Sequence, residues 1–200
     1  MLNGVDIKIK LTPSKSVFNL IAMDVNGGYK SVITYAALLV RKAKLNTAIS
    51  LAHEKALLHR AFSVFSFNKK GQLLLQQRAA SKYHSPLLWT NTCCSHQREG
   101  ESNIEAGKRR LREEMGFVCE LKELFVFTYK APFDNGLTEH EIDHVMVGYY
   151  DENPEINREE AEAYKWMTIE EVKMDINKNP ETYTVWFRII FEKYKEFISN

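Results

Sequence analysis

The sequence has few cysteines and no long hydrophobic run. The three cysteines are Cys93, Cys94 and Cys119, and an odd number with two adjacent argues against a disulfide framework and favours a reducing compartment. The apolar run at residues 32–40 is too short to span a bilayer, which takes about 20 residues. An asparagine interrupts the segment at residues 17–23, which makes it a poor signal core. We therefore expect a cytoplasmic chain with no membrane partner.

No charge of one sign dominates the composition. Lysine and arginine together number 27 and aspartate and glutamate 26, so the formal net charge is +1. Without a global positive field, the composition favours no nucleic-acid partner. A chain of 200 residues can bury a real core without disulfides. We expect residues 1–31 to form an N-terminal extension and residues 32–200 to form a single domain.

The order of strand and helix patterns predicts an α/β (α+β) fold. Apolar runs at residues 61–67 and 73–78 flank the turn sequence N-K-K-G, which predicts a β-hairpin. The other predicted elements are strands at 32–40, 124–129, 139–150 and 164–167, and helices at 101–115, from Thr168 and from Pro180. Core candidates on the helices are Ile104, Leu111, Met115, Val185, Ile189, Ile190 and Phe197. This mixture indicates a mixed sheet with helices on both faces.

A charged motif lies on the helix predicted at residues 101–115. The string R-R-L-R-E-E-M-G-F at residues 109–117 resembles the end of the Nudix box, R-E-U-x-E-E-x-G-U with U apolar, and Glu101 falls on the earlier box glutamate. Carboxylates grouped on such a helix hold Mg²⁺, which neutralises diphosphate oxygens. Ser95 stands where the box has its first glycine, and Arg110 where it has the glutamate of R-E. This altered set favours holding a diphosphate over cleaving it.

The stretch T-N-T-C-C-S-H at residues 90–96 contains two adjacent cysteines and a histidine. The chain has no second cysteine pair, so a structural zinc site with four cysteine ligands is excluded. In an extended segment Cys94 and His96 share one face and Cys93 points the other way. The residues by themselves leave open a reactive thiol or a buried structural loop.

Two glutamates alternate on the strand predicted at residues 139–150. Glu139 and Glu141 share one face, where like charges repel unless a cation or proton lies between them. Carboxylate together with imidazole suits Mn²⁺ or Zn²⁺, and Mg²⁺ more weakly. His140 and His144 face the other way and are assigned to the surface or the core.

Taken together, these segments resemble the type I isopentenyl-diphosphate isomerases, which have the Nudix fold. The resembling stretches run from about Ala52 to the C-terminus and are L-L-H-R-A-F-S-V-F, L-L-L-Q-Q-R, W-T-N-T-C-C-S-H, R-R-L-R-E-E-M-G, Y-K-A-x-x-D-N-G-L-T-E-H-E-I-D and the late Trp186. The resemblance implies a Nudix-type mixed β-sheet between helices. It also implies interconversion of isopentenyl and dimethylallyl diphosphate through a carbocation-like intermediate, in isoprenoid biosynthesis.

The resemblance implies a role for individual residues. Cys94 would be the catalytic thiol, Glu141 the opposing acid and Tyr129 the assisting phenol. The implied substrate-binding residues are Arg78, Lys82 and Arg110 for the diphosphate and Trp186 for the cation. The implied metal ligands are His53, His59, His96, Glu139 and Glu141 for Mn²⁺ or Zn²⁺, and Glu114 with the main-chain carbonyl of Cys94 for the Mg²⁺ that accompanies the diphosphate.

One departure from the family pattern concerns the diphosphate. Ile49 stands where the family usually has a lysine, four residues before the first metal histidine. Losing such a charged contact weakens binding by about 1.5–3 kcal/mol. Two alternatives therefore stay open beside the isomerase. One is a Nudix diphosphate hydrolase, which Arg110 disfavours, and the other is a catalytically silent binding protein on this fold, which Ile49 favours.

Overall fold

A computed structural model of the chain describes residues 48–133 and 135–198. These residues belong to one compact unit, Ala48–Asn200. The predicted extension at 1–31, the predicted strand at 32–40, the domain boundary between them and the side chain of Phe197 lie outside the described residues. Among the described residues, each helix falls short of the length or hydropathy that crossing a bilayer requires.

The described secondary structure alternates between strands and helices. The strands are β1 (His59–Phe67), β2 (Gln72–Arg78), β3 (Trp89–Thr90), β4 (Cys93–Ser95), β5 (Leu121–Pro132), β6 (Thr138–Tyr149) and β7 (Ala161–Thr168). The helices are α1 (residues 48–54), α2 (Asn103–Arg110) with its π-helical continuation Leu111–Met115, α3 (Ile169–Lys178), the 3₁₀ turn Pro180–Thr182 and α4 (Val185–Ile198).

The strands form one mixed sheet in the order β3-β2-β1-β6-β5, with β4 paired to β1 and β7 to β2. The two central strands, β1 and β6, are parallel, and their register sets His59 opposite Glu141. The antiparallel pair β5 and β6 sets Tyr129 opposite the same Glu141. Strand pairing alone therefore places three chemically active side chains next to one another.

Helices cover both faces of the sheet. On β1 alternate residues point to opposite faces, so Phe65 packs in the cluster that contains Val172 of α3 and Phe187 of α4. Phe62 packs in the other cluster, which contains Leu111 from the π-helical turn. The predicted mixed sheet between helices is confirmed.

The start of the box helix differs from the prediction by two residues. Ser102 caps α2 in a capping box with Glu105, so the helix begins at Asn103 and not at Glu101. The helix lies close to the sheet because Gly107 has no side chain. A Cβ at that position would lie 2.7 Å from the Leu121 Cδ1 atom.

Of the two helix starts predicted near the end of the chain, one is confirmed and one is wrong. Thr168 caps α3 in the predicted capping box with Glu171. Pro180 does not open α4, because it begins only a 3₁₀ turn. Tyr183 is extended after that turn, and the Thr184 backbone N–H donates to the Trp89 carbonyl at 2.9 Å. This bond ties the segment to β3, so α4 begins at Val185.

Candidate active site and metal centre

Three imidazoles surround one carboxylate oxygen inside the unit. His53 comes from α1, His59 from the first residue of β1 and His96 from the residue after β4. Their Nε2 atoms lie 3.7, 3.3 and 3.1 Å from the Glu141 Oε1 atom, in that order. The ligand atoms of these four side chains all lie within 4.8 Å of one another.

This group fits a divalent metal ion. The buried Nε2 atoms of His53 and His59 have no hydrogen-bond partner among the described residues, which is costly unless another group satisfies them. The opposite ring nitrogens are engaged: the His53 Nδ1 atom lies 2.7 Å from the Tyr83 hydroxyl, and the His59 Nδ1 atom 2.8 Å from the Leu57 carbonyl. Such contacts direct Nε2 at the centre, and three imidazoles with one carboxylate suit Mn²⁺ or Zn²⁺.

Glu139 lies beside this group of four and not in it. Its Oε2 atom lies 2.8 Å from the Tyr129 hydroxyl oxygen. Its Oε1 atom lies 3.7 Å from the Nε2 atom of His84, a buried histidine that the sequence analysis missed. The predicted role of Glu139 as a metal ligand stays a prediction.

The two glutamates of β6 have opposite electrostatic surroundings. Burial and the charge of Glu141 raise the pKa of Glu139 well above its ordinary value. Burial also raises the pKa of Glu141, but the three imidazoles outweigh it and lower that pKa well below the ordinary value. Glu141 therefore carries the charge of the pair. Its Oε1 atom faces the imidazoles, while its Oε2 atom accepts from the Tyr129 hydroxyl at 2.7 Å.

A third carboxyl continues the same face of β6. Asp143 is buried, and its Oδ2 atom accepts a hydrogen bond from the Ser63 hydroxyl at 2.8 Å. Burial and then the charge of Glu141 raise the pKa of Asp143 to about 8. The alternation that placed Glu139 and Glu141 on one face also reaches Asp143, so the sequence contained the signal for this residue.

The adjacent cysteines on β4 lie in different surroundings. Cys93 is fully buried in the cluster beneath α2, whereas Cys94 packs against the cluster that contains Trp186. Burial raises the pKa of the Cys94 thiol to about 12, against the opposing charge of Arg78. The charges of Glu114, Glu139 and Glu141 raise that pKa further. Cys94 is thus a neutral thiol within the field of the Glu141 carboxylate.

Glu114, the last box glutamate, is held on both oxygens. The Arg110 Nε atom donates to its Oε1 atom at 2.8 Å, and the Gln76 amide donates to its Oε2 atom at 2.8 Å. Only 2% of Glu114 is exposed. Gln76 was missed by the sequence analysis, although it directly follows the apolar run of β2. These bonds fix the direction in which Glu114 presents its oxygens.

The other two residues predicted to bind the diphosphate are Arg78, at the end of β2, and Lys82, in the loop after it. Lys82 forms an ion pair with Glu160, which Arg110 also contacts. Arg78 donates from Nε to the Ser85 carbonyl and from Nη2 to the His84 carbonyl, both at 3.1 Å. The Arg78 guanidinium carbon lies 5.2 Å from the ring centroid of Trp186, which is 2% exposed.

Comparison with known proteins identifies the family. The NUDIX domain profile matches residues 57–187. The chain is 49% identical to isopentenyl-diphosphate Delta-isomerase 2 of Aromatoleum aromaticum, over 71% of this chain and 75% of the relative. It is 51% identical to the isopentenyl-diphosphate Delta-isomerase of Serratia proteamaculans, over 70% and 78% of the two chains. The chain belongs to the isopentenyl-diphosphate Delta-isomerases of the Nudix superfamily.

Solved structures of low sequence identity share the fold. A MutT protein from Methanosarcina mazei Go1 aligns with a TM-score of 0.57 and 19% identity, over 70% of this chain and 94% of the other. A Deinococcus radiodurans protein aligns with a TM-score of 0.56 and 23% identity, over 68% and 82%. At these identities the similarity extends to the fold alone.

The box carboxylates of this isomerase-family chain are engaged by arginines. Arg109 forms a two-bond ion pair with Glu101, with distances of 2.6 and 2.8 Å. Glu113 contacts Arg98, Arg109 and Arg110 at 3.2, 3.3 and 2.7 Å. Glu101 and Glu113 therefore neutralise guanidinium groups, which leaves Glu114 as the buried carboxylate of the box.

The departure from the isomerase pattern lies in α1. Ile49 is half-buried and precedes His53 by four residues, which is about one helical turn. Residues at this spacing share one helix face. The side chain that replaces the usual lysine is therefore apolar, and it lies on the helix face that carries His53.

Proposed function

We propose that this chain interconverts isopentenyl diphosphate and dimethylallyl diphosphate, as its family membership implies. The observation that carries the proposal is the arrangement around Glu141. One of its oxygens faces the three imidazoles, the other accepts from the Tyr129 hydroxyl, and its charge acts on the Cys94 thiol. A site of this kind offers two proton positions on distinct groups.

The reaction moves a carbon–carbon double bond within a five-carbon chain. One proton is added to the terminal alkene carbon, which leaves the positive charge on the internal alkene carbon, and another proton is removed from the methylene carbon on the other side of that carbon. We assign these proton positions to the Cys94 sulfur and the Glu141 Oε2 atom, with the Tyr129 hydroxyl holding Oε2 in place. Trp186 is the proposed aromatic face for the carbocation-like intermediate, because an aromatic ring attracts a cation without trapping it covalently. The buried surroundings exclude water that would capture the cation.

Divalent metal ions are proposed at two sites. His53, His59, His96 and Glu141, with Glu139 as the remaining proposed ligand, would bind Mn²⁺ or Zn²⁺. Glu114 and the main-chain carbonyl of Cys94 would bind the Mg²⁺ that accompanies the diphosphate, beside Arg78, Lys82 and Arg110. Bound divalent ions supply Lewis acidity and neutralise phosphate oxygens. The three free cysteines suit the reducing environment of the cytoplasm, which is the proposed location.

Product analysis separates this proposal from its alternatives. The chain is incubated with isopentenyl diphosphate, Mg²⁺ and Mn²⁺, and the products are separated chromatographically. Dimethylallyl diphosphate as product supports the isomerase. Release of phosphate instead would indicate a Nudix hydrolase, and recovery of unchanged substrate would indicate a silent binding protein.

A further inference from the structure

A carboxylate outside the Nudix box contacts two of the cations proposed for the diphosphate. Glu160 is the last residue before β7, and 17% of its side chain is exposed. Its oxygens lie 3.4 Å from the Arg110 Nη1 atom and 3.1 Å from Nη2, and it forms an ion pair with Lys82. Burial raises the pKa of Glu160, but Arg110 and Lys82 outweigh burial and lower it to about 2.

Backbone bonds fix this carboxylate between two parts of the site. The Glu160 carbonyl accepts from the Ala79 N–H at 3.1 Å, which ties it to the loop after β2. The Glu160 N–H donates to the Asn157 carbonyl at 2.9 Å, and the Asn157 N–H donates to the Glu114 carbonyl at 2.9 Å. Glu160 is therefore held beside both the box helix and the loop that carries Lys82.

The guanidinium of Arg110 has all its nitrogens in contact with carboxylates. Nε and Nη2 contact Glu114, Nη1 contacts Glu113, and both terminal nitrogens contact Glu160. A guanidinium has five N–H donors and no more. Phosphate oxygens can therefore reach Arg110 only by replacing a carboxylate. Glu160 is the carboxylate that Arg110 shares with Lys82.

We propose that Glu160 is an internal competitor of the diphosphate, which occupies Arg110 and Lys82 and gives way when substrate binds. The inference rests on the proposed function, which assigns those two cations to the diphosphate. Substrate and product carry the same diphosphate, so tight binding to that group stabilises the bound product as much as the bound substrate. A carboxylate that takes the cations back assists product release.

The test compares the isosteric variant Glu160→Gln with Glu159→Gln. Glu159 is the exposed neighbour in the same turn, so each variant removes one negative charge from that turn. Calorimetric titration with inorganic diphosphate and Mg²⁺ gives the Kd. We expect Glu160→Gln to bind about tenfold more tightly, since a charged hydrogen bond no longer competes. Glu159→Gln should stay within about twofold of the wild type, because exposed charges are screened.

A second variant and a second readout keep the test decisive. Glu160→Asp retains the charge but withdraws the carboxylate by one methylene, so we expect tighter binding by a smaller factor. The KM for isopentenyl diphosphate should fall in parallel with the Kd. A purely structural role would lower the thermal midpoint without tightening binding.

Unchanged or weaker binding by Glu160→Gln, in a wild type that isomerises its substrate, would overturn this inference alone. A wild type that neither binds inorganic diphosphate nor isomerises would overturn the proposed function and this inference with it.

Discussion

Glu139 and Glu141 are chemically identical and lie on the same face of β6, yet their pKa values move in opposite directions. The difference comes from their neighbours. Three imidazoles lie beside Glu141, whereas the Tyr129 hydroxyl and the charge of Glu141 itself lie beside Glu139. Whether a buried carboxyl holds a proton or a charge thus depends on groups within a few ångströms.

At this scale the Cys94 thiol gives the most direct prediction. Because it is a proposed proton position, we expect Cys94→Ala to lower kcat by about 10²–10⁴-fold while the thermal midpoint stays near that of the wild type. Glu141→Gln should have a similar effect on turnover. Cys119→Ala is the matched control and should retain wild-type kcat, since Cys119 packs against the hydrophobic cluster beneath α2 and is not a proposed site residue. Wild-type turnover in Cys94→Ala would refute the assignment.

Acid stability tests the ion pairs of Glu160. Its folded-state pKa is about 2, compared with an ordinary value of 4.5. A lowered carboxyl pKa stabilises the fold above the unfolded-state pKa, and that contribution is lost as pH falls through the folded-state pKa. We expect the difference in unfolding free energy between wild type and Glu160→Gln to shrink between pH 4.5 and 2. Urea denaturation at stepped pH measures it, and a constant difference would contradict the prediction.

At the scale of elements, the end of the box helix decides where Glu114 lies. The π-helical turn Leu111–Met115 stops at Gly116, which adopts a left-handed conformation with φ of 74°. A Cβ there would lie 2.4 Å from the Glu155 carbonyl oxygen. The glycine of the box is therefore needed both for its backbone conformation and for the close approach of the segment before β7.

Substitution of Gly116 separates these two requirements. Gly71 has a similar φ of 71°, but a Cβ there meets nothing within 4 Å. We expect Gly71→Ala to lower the unfolding free energy by about 1–2 kcal/mol through backbone strain alone. Gly116→Ala should lower it by about 1–3 kcal/mol more, because the backbone contact adds overpacking. Chemical denaturation of both variants measures the difference, and equal losses would exclude the contact as a cause.

At the scale of the whole molecule, the proposed metal site joins segments that are far apart in sequence. Four segments contribute one side chain each: α1 contributes His53, β1 contributes His59, the segment after β4 contributes His96, and β6 contributes Glu141. The parallel pairing of β1 with β6 sets His59 opposite Glu141. The unfolded chain does not hold these groups together, so binding of a metal ion at the proposed site would be coupled to folding.

Removal of metal tests this coupling. We expect excess chelator to abolish isomerisation and lower the thermal midpoint, and Mg²⁺ with Mn²⁺ or Zn²⁺ to restore both. Metal at about 100 times its Kd stabilises the fold by about 2.7 kcal/mol. His59→Gln should lose most of this shift. His144→Gln should keep it, since His144 bonds to Asn103 and Glu123 outside the cluster. Undiminished activity in excess chelator would exclude the metal requirement.

The sequence by itself determined the features that short stretches of chain encode. The hairpin around Gly71, the capping box of Thr168 with Glu171 and the alternation of Glu139 with Glu141 follow from local backbone geometry and side-chain periodicity. The motifs that resemble the isomerases also lie within short segments. The sequence therefore predicted the fold class and the family.

Tertiary structure alone decided the features that depend on contacts between distant segments. The hydrogen bond from Thr184 to Trp89 accounts for why α4 begins at Val185 and not at Pro180. Gln76 donates a hydrogen bond to Glu114, which lies 38 positions later in the sequence. Glu160 meets Arg110 across 50 positions. No local pattern encodes such partners, because their distances are set by how the sheet and helices pack and not by spacing along the chain.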